Sequence, residues 1–240
     1  SDTGKVNMLS IYIYKYVHNI YMLPKLVIIG DSHVNIYVSS SEIRNRFNVL
    51  RIIHSDCEDA SRHGKFLPYL MNTIGNKGEY LIKHHIDKCI NTEYAMFIFG
   101  EPDVRIHLHK QIKILNRDED EVIQVLAVKF INKIIEITPK HIKIIIRYIL
   151  PQREHSMFGE WVPNGIISDR NRYTNKLNAM LKQICENNQI LFFDNYEKNS
   201  LVKRDGSLKD EYCDGTTHYN LKSIPLIDKE INNFVTLLNR

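Results

Sequence analysis

The sequence predicts a three-layer α/β sandwich, a parallel sheet of about five strands with helices on both faces. Two observations carry this. Short apolar runs recur without polar alternation, at Leu26–Ile29, Phe47–Ile53, Tyr94–Phe99, Ile142–Leu150 and Ile190–Phe193. Such runs suit strands that are buried on both faces. Segments of helical period lie between them, so strand and helix alternate along the chain. A third observation concerns chemistry. Ser32, Asp56, Glu101 to Arg105 and the Gln152 to Asp169 stretch all follow strands. In open parallel sheets ligands bind beyond the carboxyl ends of the strands.

The first strand stops at Gly30 and passes through Asp31-Ser32-His33 into a helix expected over Val34 to Phe47. Glycine lets the backbone turn sharply. A serine at the start of a helix faces free N–H groups and the positive end of the dipole. That is a good seat for a nucleophile, and equally a common N-cap. The second strand ends in His54-Ser55-Asp56. Asp59 to Lys65 reads as loop, Phe66 to Met71 as the start of a short helix, and Asn72 to Gly78 as a turn. Tyr80 to Cys89 reads as helix.

The third strand ends at Gly100, followed by Glu101-Pro102-Asp103-Val104-Arg105, where the proline prevents a continuing ladder. Asp118 to Ile135 is a helix whose acidic start, Asp118 to Glu121, complements its dipole. Its expected apolar face runs through Val122, Val125, Leu126, Ile131, Ile134 and Ile135. Pro151 ends the fourth strand. Gln152 to Asp169, with Trp161, Pro163 and Gly165, reads as a long loop, and such loops are often functional. Tyr173, Leu177, Met180, Leu181 and Ile184 mark a helix over Tyr173 to Glu186. Asp194 to Tyr212 is polar and irregular. Ser223 to Leu238 reads as a closing helix.

The 240 residues suit one domain over residues 26–240, with residues 1–25 as an N-terminal extension packed on it. Within the extension Met8 to Tyr21 is rich in Ile and Tyr but interrupted by Lys15, His18 and Asn19. It reads as an extra strand or short helix. The net charge is only +4 and no dense Lys/Arg block occurs, which does not argue for a nucleic-acid partner. No apolar run is long enough to span a membrane. Cys57, Cys89, Cys185 and Cys213 form no CxxC pair. They are expected as free thiols in a reducing, cytoplasmic compartment, although an even count leaves one or two disulfides open. His84-His85 and His107/His109 come with no third ligand, so neither metal nor other cofactor is expected. The chain does not open on Met, as expected of a piece of a longer protein.

A serine nucleophile needs a base, and the base an orienting acid. Tyr212-Cys213-Asp214-Gly215-Thr216-Thr217-His218-Tyr219-Asn220 offers both. Asp214 and His218 share one short glycine-containing turn ahead of the last helix. An ordinary Asp-Gly turn with a histidine at the helix entry is the plain alternative.

Together these segments resemble the SGNH/GDSL hydrolase family. The matching pieces are Gly30-Asp31-Ser32-His33, Gly100-Glu101-Pro102-Asp103 and the Asp-His loop, in order, over roughly Leu26 to Leu238. The resemblance implies a flavodoxin-like sandwich with Ser32 as nucleophile, His218 as general base and Asp214 as its orienting partner. It implies an oxyanion hole made by the Ser32 backbone N–H and a glycine N–H after the second strand, best matched by Gly64, with Gly75 next. The family's third donor is an Asn two residues after the third-strand glycine, where this chain has Pro102, which donates nothing. The Asp-His spacing is also one residue longer than the family's Asp-x-x-His. Losing one oxyanion donor costs on the order of ~3 kcal/mol. Arg105 and His107 are the nearest replacements, and a salt bridge from Arg105 to Glu101 or Asp103 is the equal alternative. Asp31, Glu101 and Arg105 are the expected substrate-binding residues. The implied activity is hydrolysis of small acyl esters, acetyl above all, on a carbohydrate, with lipid esters open. The implied partner is a small acyl ester or acylated glycan. An O-acyltransferase would use the same residues, and a non-catalytic binding module is the reading that the missing Asn favours.

Overall fold

Strands β1 (Leu26–Gly30), β2 (Asn48–Arg51), β3 (Tyr94–Ile98), β4 (Lys143–Arg147) and β5 (Leu191–Phe193) form one sheet in the order β2-β1-β3-β4-β5. Every pairing is parallel. The computed structural model describes residues 25–51, 76–89, 91–153, 163–194, 200–215 and 218–238. The N-terminal extension, the Phe66 to Met71 helix, Trp161 and both Gly64 and Gly75 lie outside these residues. β1 is interior, and β3 takes the middle of the sheet. The chain crosses from β1 to β2 on one side and to β3 on the other, so the carboxyl end of β1 lies at the switch point where such sheets bind ligands.

The unbroken apolar runs are explained by two cores. Val27, Ile29, Ala95 and Phe97 face Ile82, Leu126, Phe130, Leu177 and Leu181. These come from helices assigned here in chain order: α1 (Asn35–Ser39), α2 (Ser41–Arg46), α3 (Asn76–Lys88), α4 (Glu119–Ile137), α5 (Ile167–Asn187) and α6 (Ile224–Leu238). The first core packs α3, α4 and α5 against one sheet face. Leu26, Ile28, Met96 and Ile98 face the other way, onto Ile36 and Tyr37 of α1, Ile43 of α2, and Ile227 and Ile231 of α6. Adjacent strand residues point to opposite faces, so both must be apolar.

Four expectations need correction. The single helix expected over Val34 to Phe47 is a 3-10 turn at Ser32–Val34 followed by α1 and α2. Ser40 breaks it in an extended conformation (φ −78°, ψ 118°). Its Oγ caps α2 by accepting from Ile43 N–H at 3.2 Å, and donates to Asp228 on α6 at 2.9 Å. The helix behind Ser32 is therefore too short to supply the expected dipole. Beyond Gly100 the chain forms π-helical segments at Asp103–Leu108 and Lys110–Ile114. Pro102 precedes the first, where no N–H is needed. α5 starts at Ile167, inside the expected loop, because its polar first turn hides the period. Val125 and Ile135 are exposed, while Ile123, Ala127 and Phe130 take the inward places on α4.

Two close contacts position the ends of the sheet. A Cβ on Gly30 would collide with the Ile98 carbonyl oxygen and come 2.6 Å from Val34 Cγ1. Beside it, the Asp31 N–H donates to that same carbonyl at 3.3 Å. At the end of β4 the Arg147 side chain is fully buried, with Nη2 3.4 Å from Glu230 Oε2 on α6 and donating to Tyr148 Oη at 3.3 Å. Its guanidinium carbon lies 5.3, 4.7 and 6.0 Å from the ring centres of Tyr37, Tyr148 and Phe193. Arg147 thus ties α6 to the sheet through charge and through aromatic faces.

Gly30→Ala should lower stability by about 1–3 kcal/mol, the usual cost of overpacking against fixed backbone, read as a lower urea midpoint. Glu230→Ala should cost about 3 kcal/mol, because it strands a buried guanidinium. A loss below about 1 kcal/mol would mean that the pair does not anchor α6.

Candidate active site

Ser32 opens the 3-10 turn that follows β1. Asp31 shapes the turn: its Oδ1 accepts from the His33 N–H at 2.8 Å, and its carbonyl accepts from Val34 N–H at 3.2 Å. Among the described residues the Ser32 N–H meets no acceptor.

His218 Nε2 lies 2.8 Å from Ser32 Oγ. On the other side of the ring, Nδ1 is 3.4 Å from Asp214 Oδ2. A carboxylate facing Nδ1 favours the proton there and leaves Nε2 as acceptor towards the serine. The loop holding both is a small hairpin. Cys213 and Tyr219 pair as an antiparallel bridge, and the Asp214 N–H donates to the His218 carbonyl at 3.0 Å. Gly215 takes a φ of 97° that side chains resist. Asn220 braces the hairpin by donating from Nδ2 to the carbonyls of Glu211 and Cys213 at 2.8 and 2.9 Å. Despite the extra residue in the Asp-His spacing, the two side chains are in contact.

Burial pushes the His218 pKa down, and the neighbouring His33 charge adds to that; Asp214, Glu101 and Asp31 oppose both, and the net is a lowered value. Asp214 and His218 are both in contact with solvent, at 35% and 28% side-chain exposure, so the carboxylate's influence is screened.

Asp31, Glu101 and Arg105 are buried beside this pair rather than open to it. Arg105 Nε donates to both oxygens of Glu101, at 2.9 and 3.2 Å. Of the two arrangements open to Arg105 in the sequence, the pairing with Glu101 is the one present. Asp31 and Glu101 in turn flank the buried His33 ring. Asp31 Oδ1 is 2.8 Å from Nδ1, and Glu101 Oε2 is 3.5 Å from Nε2, an ion-pair contact without hydrogen-bond geometry. His33 carried no expectation from the sequence. Asp31 was visible two residues away, but Glu101 reaches the ring only through the β1–β3 pairing. Burial pushes the His107 pKa down to about 4, helped by Lys110 and Arg105, so that ring is neutral at neutral pH.

Among the described residues no His, Cys, Asp and Glu side chains cluster as a metal site. No helix among them is long and apolar enough to cross a membrane. Cys89, Cys185 and Cys213 are free thiols, and Cys57 lies outside the described residues. An open hollow of about 400 Å³ along α5 is lined by Asn171, Arg172, Lys176 and Asp205, and shares no residue with the Ser32 site. Its two cations are taken by Glu119, Asp120 and Asp169.

Replacing Asp214 by Asn should lower the midpoint of the His218 titration still further, because the attraction that favours the imidazolium is removed. An NMR titration of the imidazole checks this, and an upward move would contradict it.

No protein-family profile and no curated protein sequence matches the chain. Solved structures do. A protein assigned as an acylhydrolase from Bacteroides fragilis superposes with a TM-score of 0.59 at 14% identity, covering 100% of both chains. A GDSL-like lipase from Bacteroides thetaiotaomicron gives 0.59 at 14% identity, over 94% of this chain and 97% of the other. Est24, a carbohydrate acetylesterase from Sinorhizobium meliloti, gives 0.53 at 10% identity, over 90% and 99%. The sheet order, the helices on both faces and these superpositions agree: the chain has the SGNH/GDSL hydrolase fold.

Proposed function

We propose that this chain is a serine esterase that removes small acyl groups, acetyl above all, from a carbohydrate. The observation that carries the reading is the 2.8 Å contact between His218 Nε2 and Ser32 Oγ at the switch point of the sheet. Ser32 Oγ attacks the ester carbonyl carbon while its proton passes to His218 Nε2. Asp214 holds the ring and offsets the charge that forms on it. The tetrahedral intermediate places its negative oxygen near the Ser32 N–H, with Gly64 as the second donor that the family resemblance implies. Collapse expels the alcohol, which takes the proton from His218 and leaves an acyl-enzyme. Water, activated by the same imidazole, releases the acid. The carbohydrate acetylesterase among the structural relatives supports acetylated sugars as substrates.

A second reading, a binding module that keeps the fold without hydrolysis, is favoured by one observation. Pro102 occupies the position of the family's Asn donor, and Arg105 is committed to Glu101. Two donors in place of three would slow turnover by about a hundredfold or more.

A panel of acetyl esters and acetylated sugars, with a fluorophosphonate probe, separates these readings. The probe should label Ser32, and Ser32→Ala should abolish both labelling and hydrolysis. His218→Ala should lower kcat by about 10⁶. The lowered His218 pKa predicts that kcat/KM rises with pH through a midpoint below the ordinary imidazole value of about 6.5 and then levels off. Neither labelling nor turnover on any ester would leave the binding module.

A further inference from the structure

Behind the Ser32–His218 pair lies a row of buried groups that ester hydrolysis as described does not use. Asp31, His33, Glu101 and Arg105 are each at least nine-tenths buried. Their signs alternate through contacts of 2.8, 3.5 and 2.9 Å. The His33 ring also meets the His218 ring, with centres 4.8 Å apart and planes tilted by 45°. We infer that His33 is a positioning residue: an imidazolium held between Asp31 and Glu101 that packs against His218 and keeps His218 unprotonated in mild acid.

The argument begins with solvation. An imidazolium in this place loses water, and that alone disfavours its charge. Two carboxylates from two elements restore it, Asp31 from the turn after β1 and Glu101 from the segment after β3. A neutral ring there would leave both acids facing no cation on that side, with only Arg105 beyond Glu101. The directions follow the geometry. Burial lowers the His33 pKa, Asp31 and Glu101 together outweigh burial and the opposing Arg105 charge, and the net is raised. His218 moves the other way. As pH falls, His33 therefore takes its proton first. When His218 reaches its own range, a like charge already stands one ring away, and protonation of the base is resisted. The groups that face this pair are Asp31, Glu101 and Arg105 around His33, and Asp214 on the far side of His218. Asp214 pulls His218 towards its charged form, Glu101 and Asp31 do so as well, and burial and His33 counter all three.

The consequence is a base that stays available at lower pH than a triad histidine without this neighbour. This rests on the esterase reading only for its catalytic meaning; the order in which the two rings titrate does not. Two measurements on the full chain test it. In ¹⁵N-edited NMR of the wild-type protein, His33 should titrate above about 6.5 and His218 below it. In His33→Gln, which keeps a donor for Asp31 but no charge, the His218 midpoint should move up. On an ester that the enzyme turns over, the acid limb of kcat/KM should move with it. Activity at the acid end should then fall roughly tenfold relative to the variant's own plateau, the scale expected when a like charge one ring away is removed. A purely structural role would lower the plateau and leave the limb in place. The inference is overturned if wild-type His33 titrates below His218, or if His218 keeps its midpoint in His33→Gln. Should the variant not fold, the wild-type titration order alone decides. Should no ester be hydrolysed, the esterase reading fails while the two midpoints still settle the role of His33.

Discussion

The bare Cα of Gly30 against the Ile98 carbonyl lets β1 and β3 converge where the sheet ends. No side chain fits between them, so the turn after β1 lies directly over the end of β3. Asp31 then bonds to the Ile98 carbonyl and caps its own turn, and Ser32 emerges at a defined point. The same convergence brings Glu101 of the β3 side within reach of His33 on the β1 side. Nearly everything that characterises the site depends on this approach of two backbones.

Charge is managed by alternation. A lone buried carboxylate or guanidinium would be costly, and in two buried rows charges of opposite sign meet. Asp31, His33, Glu101 and Arg105 form such a row beneath the serine. Arg147, Glu230 and a ring of aromatic faces repeat the solution beneath α6. The first lies against the His218 ring. The second holds the helix into which the Asp214–His218 hairpin leads. The two histidines at the site differ because of what surrounds them: His33 lies in contact with two acids that outweigh its burial, whereas for His218 burial and the His33 charge outweigh the pull of Asp214, Glu101 and Asp31.

The hairpin explains how an irregular motif retains its geometry. An extra residue between Asp214 and His218 would slide an open loop out of place. The Cys213–Tyr219 bridge and the Asn220 bonds join the two sides of the loop, and Gly215 takes a left-handed φ beside Asp214. Pro102 has no such remedy, since no rearrangement gives it an N–H. Arg105, the residue most able to replace a missing donor, is held by Glu101.

The sheet and its parallel sense were legible in the sequence because they rest on local apolar runs, and Ser32, Asp214 and His218 were candidates because a glycine-led turn and an acid and an imidazole on one short loop are local too. The break at Ser40 was not. Its hydroxyl caps α2 and also bonds to Asp228, a partner 188 residues away. The inward face of α4 was misread at Val125 and Ile135 because apolar character alone does not say which residues the sheet covers. The partner of Arg105 was undecided between two acids and the pocket, since all lie within one turn of backbone. His33 was silent, because its second carboxylate comes from the far side of a strand pairing. The sequence by itself determined the five strands, their parallel sheet and the triad candidates, whose determinants are neighbours along the chain. Only the tertiary structure decided which charges meet, because that depends on how closely β1 and β3 converge.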